Sequence, residues 1–371
     1  MKSMQKLVIK VGTSTLTQGS KKLSRRFMLG LVQQIAHLQN QGLQVVLVSS
    51  GAIAAGRELL NAPQICRSLP SKQMFSSIGQ VKLMQTWSEL FALFDLHIGQ
   101  VLLTRDDFSD RKRYLNARDT LNCLLQHRIV PIINENDTVA TKEIRVGDND
   151  NLAALTANLI EADAVILLTD QEGLFTSDPR RNENATLIPV VSRIDESIFS
   201  LAGSSSTSLG TGGMITKIEA ALTASQSGTR TIIASSSRPN VLIDLVQGKQ
   251  IGTLFLEEMN RRESRKRWLL SDKRKGMIHV DAGAVEKIMH HGASLLSSGI
   301  VKIVQVFERG ATVEVISPTN EAIAVGITNY GSEDAQQLIG KKSECIEDVL
   351  GYSYGQEIIH RTNMTRIKSN H

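Results

Sequence analysis

The sequence predicts an α/β protein: a three-layer, mostly parallel sheet followed by a small β-rich domain. Three observations predict it. Short β-branched runs alternate with amphipathic stretches up to about residue 257, the texture then changes to short strands and turns, and a basic run separates the two parts. Strands alternating with helices of this length form βαβ units and a sheet covered on both faces.

In chain order the strand candidates are residues 7–11, 44–49, 98–103, 129–133, 164–169 and 231–234. The helix candidates between them are residues 25–41, 72–94, 117–127, 151–161, 217–227 and 241–247. Ser49-Ser50-Gly51-Ala52-Ile53-Ala54-Ala55-Gly56 follows the second strand and opens a helix of small residues, with Ser50 as its cap candidate. From Gly276 the runs 277–280, 300–307, 312–317 and 322–328 alternate with turns and very little helix. A chain of 371 residues exceeds one ordinary core, so we expect a large domain over 1–258, a basic linker over 259–275 and a small domain over 276–358.

Bulk properties exclude several classes. Apolar residues make up 41% and charged residues 21%, a globular balance that excludes disorder. No apolar run approaches the ~20 residues that span a bilayer, so no membrane partner is expected. The first apolar stretch is short and contains Lys10, which reads as a strand and not as a signal peptide. Cys66, Cys123 and Cys345 are odd in number and far apart, which excludes a disulfide framework and a CxxC metal knuckle. They point to a cytoplasmic protein with reduced, buried thiols. Net charge is +5, concentrated between residues 261 and 275, where eight Lys/Arg face two acids. Such a run suits nucleic acid, an acidic neighbouring subunit or a solvated linker face.

In open α/β sheets ligands bind beyond the carboxyl ends of the strands. Four predicted strand ends carry small, polar or acidic residues: Gly12-Thr13-Ser14, Ser49-Ser50-Gly51, Asn134-Glu135-Asn136-Asp137 and Thr169-Asp170. One such end is an ordinary turn, whereas four together suggest a site. Lys10 stands near the end of an apolar strand, where burying it requires an anion. The alternative is a lysine whose head snorkels to water. A Ser/Gly-rich stretch, 204–213, runs into a helix with Lys217 on its first turn. Free N–H groups at a helix start beside a lysine make an anion site, although such composition alone also fits a flexible linker. Gly147-Asp148-Asn149-Asp150-Asn151 precedes another helix with more acids and amides than one cap can use. The surplus suggests recognition of an ammonium group, alignment of lysines or contact with a metal ion. No GxxxxGK[ST] is present, and Gly210-Thr211-Gly212-Gly213 lacks the third glycine of GxGxxG.

Five segments in order, Val8-Ile9-Lys10-Val11-Gly12-Thr13-Ser14, Ser49-Ser50-Gly51-Ala52-Ile53, Asn134-Glu135-Asn136-Asp137, Val146-Gly147-Asp148-Asn149-Asp150 and Gly210-Thr211-Gly212-Gly213-Met214, resemble the amino-acid kinase family. The C-terminal region resembles a PUA domain, so the resemblance covers nearly the whole chain. It implies the amino-acid kinase fold and ATP-dependent phosphorylation of the L-glutamate side-chain carboxylate, with Mg²⁺, as the first step of proline biosynthesis. It also implies proline as a feedback inhibitor, a homo-oligomer (a tetramer through the kinase domains) and glutamyl phosphate reductase as a pathway partner. By carry-over Lys10, Lys217 and Asp150 are catalytic, and Ser50, Asn134, Asp137, Asp148 and Asn149 bind glutamate. Lys10, Thr169, Asp170, Thr211, Gly212, Gly213, Met214, Thr216 and Lys217 contact ATP, and no side chain is assigned to metal. Competing readings are another acceptor (N-acetylglutamate, aspartate, carbamate or UMP) and an accessory RNA-binding role. Tyr330, Tyr352, Tyr354 and Phe307 read as scattered, which argues against an aromatic platform for RNA.

Overall fold

The computed structural model describes residues 4–61, 68–140, 149–203, 213–258 and 269–367, with 260, 263 and 266 between the last two segments. The chain divides into two compact units, Met1–Ser109 with Thr120–Met259, and Asp110–Asp119 with Asn260–His371.

The first unit is built on strands β1 (Lys6–Val11), β2 (Gln44–Ser49), β3 (Ile98–Leu103), β4 (Val130–Glu135), β5 (Ala164–Thr169), β6 (Val190–Val191), β7 (Arg230–Ser235) and β8 (Thr253–Phe255). They form one sheet in the order β3-β4-β2-β1-β5-β7-β8-β6. The six strands from β3 to β7 are parallel, and β8 runs antiparallel to β7. Every residue of β4 and β5 is buried, the mark of a sheet covered on both faces. Its helices are α1 (Thr13–Thr17), α2 (Arg25–Asn40), α3 (Ala52–Leu59), α4 (Leu69–Ala92), α5 (Arg105–Ser109), α6 (Arg111–Gln126, of which only 120–126 belong to this unit), α7 (Asn149–Ile160), α8 (Glu196–Gly203), α9 (Met214–Gln226) and α10 (Val241–Val246). The six predicted strands and six predicted helices are all present, with ends shifted by up to six residues. The short α1, α5, β6 and β8 carry too little periodicity to be read from sequence.

One core lies between this sheet and α2, α4 and α10. Leu7, Ile9, Val11, Val45 and Leu47 of the strands meet Leu31, Ile35 and Leu38 of α2 and Trp87 and Phe91 of α4. Each fully buried side chain of this size contributes ~1.5–3 kcal/mol. Trp87 also donates its indole N–H to Ser49 Oγ at 3.0 Å, tying α4 to the carboxyl end of β2. Helices α3 and α4 cross almost backbone to backbone. A Cβ on Gly56 would lie 2.0 Å from the Phe75 carbonyl oxygen, and one on Gly79 1.8 Å from that of Ala52. Only glycine fits at either position.

The second unit holds a five-stranded sheet, β11-β9-β12-β13-β15, and a two-stranded pair, β10-β14. Its strands are β9 (Gly276–Val280), β10 (Leu295–Leu296), β11 (Ile300–Val304), β12 (Thr312–Ile316), β13 (Ala322–Ile327), β14 (Glu357–Ile359) and β15 (Met364–Arg366). Three sequence expectations need correction. The unit contains a ten-residue helix, α11 (Ala282–His291), where very little helix was expected; Asp281 caps it by accepting from Ala284 N at 2.7 Å, and Gly292 ends it in the left-handed conformation. The tyrosines are not scattered. Tyr354 lies 5.7 Å from Tyr330 and 5.2 Å from Tyr352, ring centre to ring centre, with the Arg309 guanidinium 3.5 Å above its own ring. Finally, Cys123 is exposed and Cys345 half-buried, so these thiols are not core residues. Among the described residues no helix is long and apolar enough to cross a membrane.

Candidate active site

Lys10, Lys217 and Asp150, three residues from distant parts of the chain, meet inside the first unit. Strand alternation sends Leu7, Ile9 and Val11 into the core with α2 and α4. Lys10 therefore points to the opposite face, where Asp150 stands on the first turn of α7. Lys10 Nζ is 2.6 Å from Asp150 Oδ1, and Lys217 Nζ, from the first turn of α9, is 3.1 Å from Oδ2. The Thr216 hydroxyl is 2.9 Å from the same Oδ2 and from the Gly213 carbonyl oxygen. Asp150 is fully buried and both lysines nearly so. Burial alone would raise its carboxyl, but Lys10 and Lys217 outweigh it and hold the group well below the ordinary carboxylate range. One buried carboxylate thus fixes two ammonium groups side by side.

Next to this cluster the carboxyl ends of β2 and β4 supply a chain of side-chain hydrogen bonds. Asn149 Nδ2 donates to Ser50 Oγ at 2.7 Å and to Asn134 Oδ1 at 2.9 Å, and Asn134 Nδ2 donates to Gln80 Oε1 at 2.9 Å. Ser50 does not cap α3. That position belongs to Gly51, whose φ of 106° turns the chain sharply from β2 into the helix. Ser50 is left free to join the polar chain. Asp137 stands just beyond β4, half-buried, and accepts a short hydrogen bond from the Ser76 hydroxyl. Burial pushes the Asp137 carboxyl up, and Ser76 partly opposes that rise.

On the other side of β1, Thr169 ends β5 and donates its hydroxyl to Asp170 Oδ1 at 3.0 Å. Asp170 is exposed. Met214 lines a small cavity together with Gln171, Leu174, Phe175 and Leu201. Gly213 caps the N-terminus of α9 without a side-chain bond of its own. Asp148, Thr211 and Gly212 lie outside the described residues.

The structure adds residues that sequence reasoning missed. Gln73, Ser76 and Gln80 of α4 fall at i, i+3 and i+7, on one helix face. Gln73 Nε2 lies 3.2 Å from the Thr138 carbonyl oxygen, Ser76 reaches Asp137 and Gln80 reaches Asn134. They gave no distinct signal, because α4 carries polar residues on several faces. Leu174, Phe175 and Leu201 carried none, because apolar residues beside a cavity look like core.

Residues 5–235 match the model of the Amino acid kinase family, and residues 276–350 that of the PUA domain. Among curated proteins, a "Glutamate 5-kinase" of Haemophilus influenzae (strain PittGG) is 52% identical over 359 residues, covering 96% of this chain and 98% of that protein. A "Glutamate 5-kinase" of Pasteurella multocida (strain Pm70) is 51% identical over 364 residues, covering 98% and 99%. One from Shewanella halifaxensis (strain HAW-EB4) is 48% identical over 363 residues, covering 98% of each.

Proposed function

This chain belongs to the amino acid kinase family, and on that premise we propose that it transfers the γ-phosphoryl group of ATP to the side-chain carboxylate of L-glutamate. The observation that carries this reading is the lysine pair held by one buried aspartate, with a chain of hydrogen-bonded polar side chains beside it. A glutamate side chain has an ordinary pKa of ~4.3, so the acceptor is already an anionic nucleophile at neutral pH. No general base is needed. The barrier lies in bringing one anion up to another, and positioned positive charge lowers it. A carboxylate oxygen attacks the γ-phosphorus, the bond to the β,γ-bridging oxygen breaks, and ADP leaves with that electron pair. Lys10 and Lys217 neutralise the migrating phosphoryl group, and Asp150 keeps both in place.

Ser50, Asn134, Asp137 and Asn149 receive the acceptor, with Asp137 paired to its ammonium group. Thr169, Asp170, Gly213, Met214, Thr216 and Lys217 receive the nucleotide, and Asp148, Thr211 and Gly212 extend these two sets. Mg²⁺ belongs with the nucleotide. Among the described residues no group of three His, Cys, Asp or Glu side chains could hold a metal, and both oxygens of Asp150 are already taken by lysines. Bound with the nucleotide, the ion would supply charge neutralisation at phosphate oxygens, in keeping with its preference for oxygen ligands. The product, an acyl phosphate, is a substrate for a reductase, and proline acts as inhibitor of a homo-oligomeric, cytoplasmic enzyme. ADP release measured with glutamate, N-acetylglutamate, aspartate, carbamate and UMP, with and without proline, tests this. Fastest turnover with an acceptor other than glutamate overturns it.

A second reading concerns the second unit alone. Tyr352 and Tyr354 are each about two-fifths exposed and meet edge to face, with Arg309 over the Tyr354 ring, and such an aromatic cluster is the kind of platform on which bases sit. An accessory contact with RNA follows, and titration with tRNA at two salt concentrations tests it; absence of binding at low salt ends it.

A further inference from the structure

A single backbone N–H settles the polarity of three side-chain amides. Glu135 N can only donate, and it donates to Asn134 Oδ1 at 2.9 Å. Asn134 must therefore present Nδ2 to Gln80, which answers with Oε1 at 2.9 Å. Asn149 must in turn present Nδ2 to Asn134 Oδ1, and it shares that amino group with Ser50 Oγ. The outcome is forced at both ends of the chain. Gln80 Nε2, a donor, and Asn149 Oδ1, an acceptor, are left buried and unpartnered among the described residues. Both side chains are only 8% exposed. Buried polar atoms nearly always find partners, so two orphans at the ends of one network mark places kept for a ligand.

The sign of each place identifies the ligand. Ser50 Oγ accepts from Asn149, so its own hydrogen is free, which gives two donors with Gln80 Nε2. Asn149 Oδ1 and the Asp137 carboxylate give two acceptors, one of them charged. Donors beside acceptors complement a zwitterion, carboxylate to the donors and ammonium to the acceptors. The acceptor's side-chain carboxylate has to lie at Lys10 and Lys217. Its backbone carboxylate is thus the one left for the donors.

We propose that Gln80 is a substrate-contact residue whose Nε2 donates to the α-carboxylate of the acceptor amino acid and sets the requirement for a free carboxyl group there. This rests on the acceptor reading given above. Gly79 makes the contact reachable, because the absence of a Cβ lets α4 press against Ala52 and brings Gln80 down beside the carboxyl ends of β2 and β4. Ser76, one turn earlier, places Asp137 from the same helix.

The test compares glutamate with its α-amide, in which a neutral carboxamide of the same shape replaces the α-carboxylate. Gln80→Glu keeps an oxygen for Asn134 but loses the donor and sets a carboxylate against the substrate's own. We expect the KM for glutamate to rise about ten- to a hundredfold, as for a lost hydrogen bond to a charged group. The KM for ATP should stay within about twofold, and the preference for glutamate over the α-amide should fall at least about tenfold. A residue that merely props Asn134 would lower both acceptors together, so an unchanged preference overturns the proposal whether or not KM rises. If Gln80→Glu does not fold, Gln80→Met, which removes the donor with a chain of similar length, is read by the same ratio. Failure of the parent chain to consume ATP with glutamate is a separate outcome and overturns the acceptor reading itself.

Discussion

Replacing Asp150 with asparagine keeps the shape of the side chain and removes the charge on which the cluster rests. Asp150 is fully buried, with Lys10 at 2.6 Å and Lys217 at 3.1 Å, so Asp150→Asn leaves two ammonium groups facing each other without an anion. Removing one partner of a buried ion pair costs ~3–5 kcal/mol, and here one substitution removes the partner of two. A loss of ~3–5 kcal/mol in urea-unfolding free energy is expected at neutral pH. The sign with pH follows from the lowered carboxyl. Asp150 contributes its full stability above its ordinary value of 3.8 and loses it as pH falls towards the depressed folded value. The gap between parent and variant should therefore be widest at neutral pH and close on strong acidification.

Activity should fall for a different reason. Repelled lysines no longer converge on the transferring phosphoryl group, and a mispositioned transition-state charge costs ~10²–10³ in kcat. A triple variant separates the two effects: Lys10→Met, Lys217→Met and Asp150→Leu together replace the buried charges with apolar bulk, which is often neutral for stability. That variant should regain most of the lost stability and none of the activity. Asp150→Asn with turnover within tenfold of the parent, or with unchanged unfolding free energy, would refute the reasoning.

Lys10→Ala and Lys217→Ala should each lose ~10²–10³ in kcat while circular dichroism shows the fold retained; near-normal turnover would remove that lysine from the mechanism. Asp137 must be ionised to hold an ammonium group, and burial already raises its carboxyl while Ser76 lowers it. Ser76→Ala should therefore move the acid limb of kcat/KM for glutamate to higher pH, and an unmoved limb would show that Asp137 does not govern it. Gly79→Ala would drive a Cβ into the Ala52 carbonyl oxygen at 1.8 Å, so α4 has to move away from α3. The expected result is ~1–3 kcal/mol or more of destabilisation together with a raised KM for glutamate, read by thermal unfolding and initial rates.

Much of this site was legible because its residues break local rules. A lysine in an apolar strand and a surplus of Asp and Asn before a helix are costly unless something repays them, and Lys10 and Asp150 do meet. The βαβ rhythm located the strand ends, since periodicity of 2 and of 3.6 differ plainly over long segments. Gln80 and Ser76 were invisible for the opposite reason. A glutamine or a serine inside a helix breaks no rule, and only the close crossing at Gly56 and Gly79 turns that face of α4 towards β4. The tyrosine cluster was missed because Tyr330 and Tyr354 are brought together by a loop that sequence spacing does not describe.

The order of the strands explains why the chemistry falls over β1. On one side of it lie β2 and β4, which deliver Ser50 and Asn134. On the other lies β5, which delivers Thr169 and Asp170. The proposed acceptor and nucleotide sides can meet only above the strand between them, and that strand carries Lys10. Its register leaves one choice of residue. Lys10 pairs with Val48 on β2 and Leu167 on β5, one residue short of the carboxyl end, and it shares a face with α7. At position 9 or 11 the same ammonium would point among Trp87, Leu47 and the other core side chains, where no anion waits. A one-residue slip of β1 would thus abolish the meeting of Lys10 with Asp150 and bury a charge in the core. The apolar residues on either side of Lys10 protect the register and, through it, the chemistry.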